Sequence, residues 1–177
     1  MAGKKGTRKK RQGWITNGVG YIPLTRGQVA KVDPEDLAWL TQWNWNALWS
    51  PSARKYYATC KDFSTGVERN LRMNRFVLDV WEDEIKVDHE NQDTLDNRRS
   101  NLRRATQGEN LCNRGKQINN TTGFKGVSRC SERGNFRVSI TRNGKTFYLG
   151  CTDTPEEGGA LYAEAAKEVH GEFAFWA

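Results

Sequence analysis

Several kinds of site are missing from this sequence. No two of its four cysteines form a Cys-x-x-Cys pair, which excludes a zinc ribbon and a dense disulfide framework and indicates unpaired thiols in a reducing compartment. No glycine-rich phosphate loop is present, so a nucleotide-hydrolysing motor is disfavoured. No serine has a histidine partner in a motif, so a nucleophilic hydrolase is not supported. The cysteines are Cys60, Cys112, Cys130 and Cys151.

Long hydrophobic runs are also missing. The basic N-terminus is not followed by an apolar stretch that could act as a signal peptide or cross a membrane. We therefore expect a soluble, intracellular protein of the cytoplasm with no membrane partner. Hydrophobic residues still make up 36% of the 177 residues, with seven Trp and seven Phe, which is enough for packed cores in one medium domain or two small ones.

Positive charge exceeds negative charge. The chain has 28 Lys and Arg against 21 Asp and Glu, so its formal net charge is +7. A polyanion is the natural partner of such a chain, and a merely solvated cationic surface is the alternative. Residues 1–13 form a Gly/Lys/Arg tail that is too polar to pack. It either becomes ordered on phosphate or only aids solubility.

The first half of the chain predicts strands and short helices. An edge strand is expected at residues 21–24, and a helix is expected to begin with Asp33 as N-cap and Pro34 as its first residue. Alternating aromatic residues predict a strand pair around Ser50-Pro51-Ser52, and apolar spacing predicts a helix over 69–80. The tryptophans are expected in a core, with stacking on unpaired bases as the alternative.

Residues 86–116 combine ligands for hard metals, one histidine and a run of arginines. Cutting a phosphodiester requires an activated water, a cation near the phosphate and stabilisation of the departing 3′ oxygen. Asp88 offers the carboxylate that Mg²⁺ or Mn²⁺ prefers, and His89 is the histidine of the segment, a residue type whose ordinary pKa suits a base near neutral pH. A strand that ends or bends at His89, a second strand over 102–105 and a capped helix predict a ββα unit. Asp88 and Asn110 would then share one ion.

This segment resembles the HNH nuclease family, in the Asp-His, Asn, Asn variant found among phage and intron-encoded endonucleases. The resemblance covers roughly residues 70–116 and rests on the spacing of His89, Asn101 and Asn110. It implies a ββα-metal (His-Me finger) fold in which Asp88 and Asn110 hold the metal. His89 is then the general base, and Asn101 braces the loop and orients the histidine.

The arginine run is also typical of this family, and it implies contacts with backbone phosphates. One position departs from the family pattern, because related sequences often carry Met-His-Arg where this chain has Met73-Asn74-Arg75. If that histidine assists metal binding or substrate positioning, Asn74 lowers activity. The arginines expected to hold phosphates are Arg98, Arg99, Arg103 and Arg104.

A second unit is predicted after a polar linker at residues 117–122. Alternating side chains around Asn143-Gly144 predict a hairpin, and a helix follows with Thr154 as N-cap and Glu157 completing a capping box. The strands are basic and the helix is acidic, so the sheet is the expected nucleic-acid face.

Four segments of this second unit resemble the APETALA2-type DNA-binding domain, in a match that runs from residue 123 to residue 174. They are residues 123–129, 135–140, 148–150 and 160–174, the last of which ends in His-Gly-Glu-Phe-Ala. The resemblance implies a sheet that lies in the major groove of DNA. Some strand tryptophans of plant members are missing here, so no base preference is implied. The expected DNA contacts are Lys125, Arg129, Arg137, Ser139, Thr141 and Lys145.

These patterns together predict an α+β protein: a basic tail (1–13), an HNH domain (14–116, with its ββα core at 86–116), a linker (117–122) and an APETALA2-like domain (123–177). The leading hypothesis is a metal-dependent endonuclease for double-stranded DNA, without a nucleotide cofactor, and the resemblance implies a homing role in a phage genome. One ββα unit offers one active site, so a monomer that makes nicks is the simplest expectation. The competing hypothesis is a DNA-binding regulator whose nuclease unit has lost activity.

Overall fold

Two compact units make up the described part of the chain. The computed structural model describes residues 10–62, 68–130 and 134–176, so residues 1–9 of the predicted basic tail lie outside the described residues. The first unit comprises the residues up to Asp83 together with His89–Arg104, and the second comprises Glu84–Asp88 together with the residues from Ala105 onward. The predicted domain limits differ from this division, because residues 105–116 belong to the second unit.

The first unit begins with an antiparallel sheet of three strands and a short helix. Asn17 and Gly18 both have positive φ, which gives the first hairpin turn the twist that antiparallel strands need. The expectation of an edge strand at residues 21–24 is wrong, because the strand here is Val19–Pro23, it lies between two others, and Tyr21 pairs on both sides. The helix is confirmed with Pro34 as its first residue. In order, the elements are β1 (Trp14–Thr16), β2 (Val19–Pro23), β3 (Val29–Val32) and α1 (Pro34–Leu40).

A second antiparallel sheet follows in the same unit, and its three strands are adjacent in chain order. It confirms the strand pair predicted around Ser50-Pro51-Ser52. The helix predicted over 69–80 is wrong in its first turn, where Arg72 pairs with Thr59 of the neighbouring strand. Pairing with a neighbouring strand overrides the helical spacing of the sequence there. The elements are β4 (Asn46–Ser50), β5 (Lys55–Asp62), β6 (Arg69–Arg72) and α2 (Met73–Val77).

Aromatic rings fill much of the core of the first unit. Phe76 lies against Trp39, Trp43 and Trp45, with ring centroids 5.0, 4.8 and 5.9 Å apart. Trp45 is 1% exposed, and its indole N–H donates to a backbone carbonyl at 2.8 Å. The core role predicted for the tryptophans is confirmed for Trp45, while Trp39 and Trp43 are partly buried. Trp49 differs, since it is 40% exposed.

The segment predicted to carry chemistry folds as strand, loop, strand and helix. The two strands form a two-stranded sheet, and the division between the units passes through both of them. The Thr106 hydroxyl accepts from the Glu109 N–H at 3.2 Å, and the Glu109 carboxylate accepts from the Thr106 N–H at 2.7 Å, which confirms the predicted capping box. The elements are β7 (Lys86–His89), a 3-10 turn (Arg99–Asn101), β8 (Leu102–Ala105) and α3 (Gln107–Cys112).

The rest of the second unit is a three-stranded antiparallel sheet packed on a helix. Asn143 and Gly144 have φ of 51° and 75°, as the predicted hairpin turn requires. The helix carries the predicted capping box of Thr154 and Glu157. The elements are β9 (Val127–Arg129), β10 (Phe136–Arg142), β11 (Lys145–Thr152), α4 (Pro155–His170) and a 3-10 turn (Gly171–Phe173). The core residues are Val127, Phe136, Val138, Ile140, Tyr162 and Ala166.

Helices and small antiparallel sheets are thus mixed in both units, which is compatible with the predicted α+β class. Within the three described ranges, no helix has the length and apolar character needed to cross a bilayer.

Candidate active site

The carboxylate of Asp88 is held by a side-chain amide within the second unit. Asp88 lies in β7 and is only 5% exposed. Asn113, the C-cap of α3, is also buried, and its Nδ2 lies 3.0 Å from each carboxylate oxygen of Asp88. Because the amide nitrogen donates to both oxygens, the orientation of the carboxylate is fixed.

Asn110 lies one helical turn before Asn113. It belongs to α3, in the same unit as Asp88, and it is partly buried. Residues three apart on a helix are neighbours on its surface. Asn110 therefore lies on the same side of α3 as Asn113, whose amide contacts Asp88. The pairing of Asp88 with Asn110 around one ion stays a prediction.

The oxygen atoms in this region suit a hard divalent cation. Among the residues that the structure describes, no three His, Cys, Asp or Glu side chains come together as a metal cluster. One carboxylate and one amide oxygen leave most positions around a cation to water, which is how Mg²⁺ is usually held. The donor set of Asp88 and Asn110 thus fits Mg²⁺ and does not fit Zn²⁺, which takes three or four protein ligands.

The imidazole of His89 is buried and faces an amide oxygen. His89 is 5% exposed, and its Nε2 lies 3.4 Å from Oδ1 of Asn97. Nδ2 of Asn97 donates to the Leu95 carbonyl at 3.1 Å, which fixes the direction of the amide because a carbonyl only accepts. Nε2 therefore carries the hydrogen. In the neutral ring Nδ1 then holds the lone pair that can take a proton.

An aromatic ring and a cation lie on one side of His89. The rings of Tyr57 and His89 are 6.4 Å apart in an edge-on arrangement. The exposed Arg72 holds its guanidinium 5.1 Å from the centre of the Tyr57 ring. Sequence reasoning did not single out Arg72, because it stands in a segment predicted to be helical rather than in the motif.

Asn101 ties together the loop between β7 and β8. Its Oδ1 accepts from the Asn91 N–H at 2.9 Å, and its Nδ2 donates to the Asp96 carbonyl at 2.8 Å. Its own carbonyl accepts from the Glu90 N–H at 2.9 Å. These hydrogen bonds hold the loop together, and the bracing and orienting roles that the resemblance implies for Asn101 stay predictions. The amide that lies next to His89 is that of Asn97.

The buried Asp96 and the partly exposed Arg98 form an ion pair in the same loop. Asp96 is 1% exposed and accepts from Nε of Arg98 at 2.8 Å, from Nη2 at 2.6 Å and from Nδ2 of Asn91 at 3.1 Å. Burial disfavours the charged carboxylate, but the hydrogen bonds and charge of Arg98 outweigh it, so the pKa of Asp96 is lowered. Arg98 is therefore committed to the loop.

Arg99 is engaged in a similar way by α1. Its Nε and Nη2 lie 3.1 and 2.9 Å from the carboxylate oxygens of Asp36, and its backbone N–H donates to the Asp33 carboxylate at 2.7 Å. The hydrogen bond to Asp36 raises the pKa of Arg99. Carboxylates of the protein thus engage Nε and Nη2 of both guanidinium groups, and phosphate contacts by Arg98 and Arg99 stay a prediction.

The other two arginines of the run lie next to each other on β8. Arg104 is exposed and donates to the Leu78 carbonyl at 3.3 Å, and Arg103 is partly buried. A phosphate contact by either one stays a prediction.

The outer face of the second sheet carries the polar residues expected there. Arg137 and Thr141 are exposed and Ser139 is partly buried, in alternation with the buried apolar residues of β10. The guanidinium of Arg137 lies 5.2 Å from the centre of the Tyr148 ring. The alternation is confirmed, and DNA contact by these three residues stays a prediction.

Three further residues expected to contact DNA lie elsewhere in this unit. Arg129 lies 5.3 Å from the centre of the Phe136 ring, and Lys145 is exposed at the hairpin turn. Lys125 points inward, where Nζ donates to the Cys112 carbonyl at 2.6 Å and the Phe175 carbonyl at 3.1 Å, and burial lowers its pKa to about 8. The expectation of a DNA contact is corrected for Lys125, whose contacts are structural.

Two asparagines of the site were not singled out from the sequence. Asn113 has the spacing of a helical neighbour of Asn110, which is a usable signal. Asn97 stands inside the Asp-Asn-Arg-Arg run, where the adjacent arginines drew attention to phosphates instead. Its role becomes visible only when the loop folds back onto His89.

The chain is similar to proteins of a giant virus and of a phage. It is 37% identical over 91 residues to a protein of Acanthamoeba polyphaga mimivirus named "Uncharacterized HNH endonuclease L560", which covers 51% of this chain and 46% of that relative. It is 34% identical over 88 residues to "Protein 3.8" of Escherichia phage T7, which covers 50% of this chain and 72% of that relative. The chain thus spans less than half of the mimivirus protein. The first similarity supports an HNH-type nuclease at the level of family. No family model matches the chain, and no solved structure matches it.

Proposed function

The chain belongs to the family of protein 3.8 of Escherichia phage T7, and from this premise we propose that it is a metal-dependent DNA endonuclease of the HNH type. One observation carries the proposal. Asp88 and His89 are consecutive residues at the end of one strand, both are buried, and an asparagine amide contacts each of them. Buried titratable groups with dedicated hydrogen-bond partners are typical of sites of chemistry.

In the proposed reaction, His89 takes a proton from the attacking water. Asn97 keeps the hydrogen of the neutral ring on Nε2, so Nδ1 is the atom that accepts the proton. Asn101 holds the loop in which Asn97 lies. The imidazole is thereby oriented before substrate binds, which is what efficient general-base catalysis requires.

Asp88 and Asn110 are proposed to hold the metal ion, and Asn113 to keep the Asp88 carboxylate in place for it. When bound, Mg²⁺ or Mn²⁺ supplies positive charge to the scissile phosphate and to the departing 3′ oxygen. Asn113 contributes indirectly, because a carboxylate whose rotamer is already fixed loses less entropy when it binds a cation.

Double-stranded DNA is the proposed substrate, read mainly by the outer face of β10. Side chains such as Arg137, Ser139 and Thr141 can contact base edges and phosphates in a major groove. A homing role in a phage genome and nicking by a monomer are part of this proposal. Arg137→Ala is expected to weaken DNA binding and leave cleavage of saturated substrate unchanged. The matched control is Lys167→Ala, an equal loss of charge on α4, which should leave affinity unchanged.

A nicking assay on supercoiled plasmid tests the proposal. Wild-type protein should nick with Mg²⁺ and stop with a chelator, and His89→Ala should lose activity. The chain has two histidines, so His170→Ala is a matched control that should retain activity. The nuclease proposal is rejected if wild-type protein leaves the plasmid uncut at all salt concentrations and with all divalent metals tested. It is also rejected if His89→Ala cuts as well as wild type.

A DNA-binding regulator without nuclease activity is the second candidate, and Asn74 favours it. Asn74 is 5% exposed in α2, at the place where related sequences often carry histidine. If this residue limits activity, Asn74→His should increase nicking. The regulator would be supported if the wild-type protein and the Asn74→His variant both bind DNA tightly and neither nicks it.

A further inference from the structure

A pocket in the first unit has the size of a single aromatic base. Its volume is about 260 Å³, and it lies between the β4–β5 hairpin and the loop that follows β7. Pockets for drug-sized ligands measure about 300–1,000 Å³, so this one accommodates one ring system rather than several. The side chains that decide its chemistry are Trp49, Arg54, Lys55, Tyr56 and Gln92.

Two aromatic rings form one wall of the pocket. Trp49 and Tyr56 are partners in the strand register, and their ring centroids lie 4.9 Å apart at 61°. Trp49 keeps 40% of its surface exposed, in contrast to the tryptophans packed around Phe76. An exposed indole at a pocket offers a stacking surface for a planar ring, and every nucleobase has such a face.

Gln92 also lines the pocket, and its side chain carries an unsatisfied donor. Its Nε2 is inaccessible to solvent and has no hydrogen-bond partner. The Lys55 ammonium lies 2.7 Å from the Gln92 carbonyl and 3.5 Å from its Oε1, and because an ammonium only donates, Oε1 must face Lys55. Nε2 is thus the group that still needs an acceptor. A rotation of the Gln92 side chain toward the pocket would offer it to the ring nitrogens and carbonyl oxygens of a nucleobase, which are acceptors. Gln92 also has a φ of 62°, a conformation that residues other than glycine adopt at a cost and often at functional sites.

The pocket lies close to His89 along the chain. The N–H of Gln92 donates to the His89 carbonyl at 2.9 Å. Three residues span at most about 11 Å, so a base in the pocket is within one or a few nucleotides of a phosphate at His89. Arg54 is exposed at the hairpin turn beside the pocket and offers a cation to the backbone of the same strand.

We propose that this pocket binds one unpaired base of a DNA strand, stacked on Trp49 and hydrogen-bonded by Gln92, with Arg54 on a neighbouring phosphate. The choice of DNA rests on the proposed function. A base inside a duplex cannot enter, so the favoured substrate carries a base that is unpaired or easily extruded near the cut.

The proposal is tested by DNA binding in the presence of a chelator, so that no cutting is needed. The probes are fluorescein-labelled duplexes, one fully paired and one with a single bulged base, read by fluorescence anisotropy. Trp49→Ala should weaken binding to the bulged duplex about five- to hundredfold, the range for one base–aromatic stack, with little effect on the paired duplex. Trp49→Phe should restore most of the affinity. Trp81→Ala removes an indole that is 53% exposed outside the pocket and should change affinity less than about twofold.

Two further arms cover the hydrogen bond and the location of the base. Gln92→Glu replaces the donor by an acceptor and should weaken binding of the bulged duplex only. A duplex with 5-iodouracil as the bulged base should crosslink under light to Trp49 or Tyr56, as peptide mapping would show. Three outcomes would each overturn the proposal. They are equal affinity of Trp49→Ala and Trp81→Ala for the bulged duplex, crosslinks outside the pocket, and a free mononucleotide that binds as tightly as the bulged duplex.

The failure of this proposal is distinguishable from the failure of the enzyme. If plasmid nicking is absent but the Trp49 and Gln92 variants lose binding to the bulged duplex, the nuclease is rejected and the pocket stands. If His89→Ala abolishes nicking while the pocket variants bind the bulged duplex like wild type, the nuclease stands and the pocket is rejected.

Discussion

Replacing Asp96 by asparagine should destabilise the loop that holds His89. The change keeps the size of the side chain but leaves the Arg98 guanidinium without its negative partner. Breaking a fully buried ion pair costs about 3–5 kcal/mol. Asp96 is buried but the Arg98 side chain is 34% exposed, so water partly compensates the arginine and we expect a loss of about 2–4 kcal/mol. That loss corresponds to a decrease in Tm of roughly 5–15 °C for a chain of this size.

Urea unfolding followed by circular dichroism measures this loss, and the same loop provides a control. Lys31 and Asp93 form an ion pair of 3.0 Å whose side chains are 41% and 42% exposed. Asp93→Asn should therefore cost less than about 1 kcal/mol. A double-mutant cycle of Asp96→Asn with Arg98→Met isolates the coupling between the buried partners. If Asp96→Asn costs no more than Asp93→Asn, the buried pair does not stabilise the loop.

The effect should also depend on pH, in a direction set by the lowered pKa of Asp96. A carboxyl group whose pKa is lower in the folded than in the unfolded protein stabilises fully above its ordinary value of 3.8, and this stabilisation is lost as pH falls through the folded value. The free energies of unfolding of wild type and Asp96→Asn should thus differ fully at neutral pH and converge below pH ~4. A difference that stays constant down to acid pH would show that charge is not the cause.

Three other changes test the remaining contacts. Asn97→Leu should lower kcat by about 10–100-fold with little change in KM, and the ¹⁵N shifts of His89 should show a mixture of tautomers; unchanged shifts would reject the orienting role. Asn113→Leu should raise the Mg²⁺ concentration needed for half-maximal nicking by a similar factor, because the Asp88 carboxylate loses the hydrogen bonds from Asn113. An unchanged Mg²⁺ titration contradicts this. Lys125 has a pKa of about 8 in the folded protein, below its ordinary 10.5. The free energy of unfolding of wild type relative to Lys125→Met should therefore rise from pH 7.5 to 9.5 in denaturant titrations. A difference that does not change with pH contradicts the buried ammonium.

Local signals in the sequence predicted most of the elements correctly. Capping boxes at Thr106 and Thr154 and the Asn143-Gly144 turn depend on neighbouring residues only, and each appears where expected. The errors arose where distant pairing decides. Arg72 pairs with Thr59 of β5 instead of continuing a helix, and the strand around Tyr21 gains a second neighbour in β3.

Within the candidate site, the sequence identified residue types better than partners. The spacing of His89 and Asn101 directed attention to one loop, but it could not show that Arg98 turns back to a buried carboxylate of the same loop. Arginines in a basic motif predict phosphate contacts on composition alone. Whether a guanidinium faces solvent or a neighbouring carboxylate depends on where Asp36 and Asp96 lie in space, which spacing along the chain does not reveal.

The rigidity of the histidine loop derives from its backbone pairing with β3 as much as from its side chains. The Lys31 N–H donates to the Leu95 carbonyl at 2.8 Å, and the Asn97 N–H donates to the Lys31 carbonyl at 2.7 Å. Asn97 is therefore positioned from both ends, by its backbone hydrogen bond to β3 and by its amide between Leu95 and His89. Backbone hydrogen bonds of this kind are insensitive to the identity of the Lys31 side chain. The orientation of the proposed general base is thus fixed by the fold of the first sheet, and substitutions on the exposed side of β3 should leave it intact.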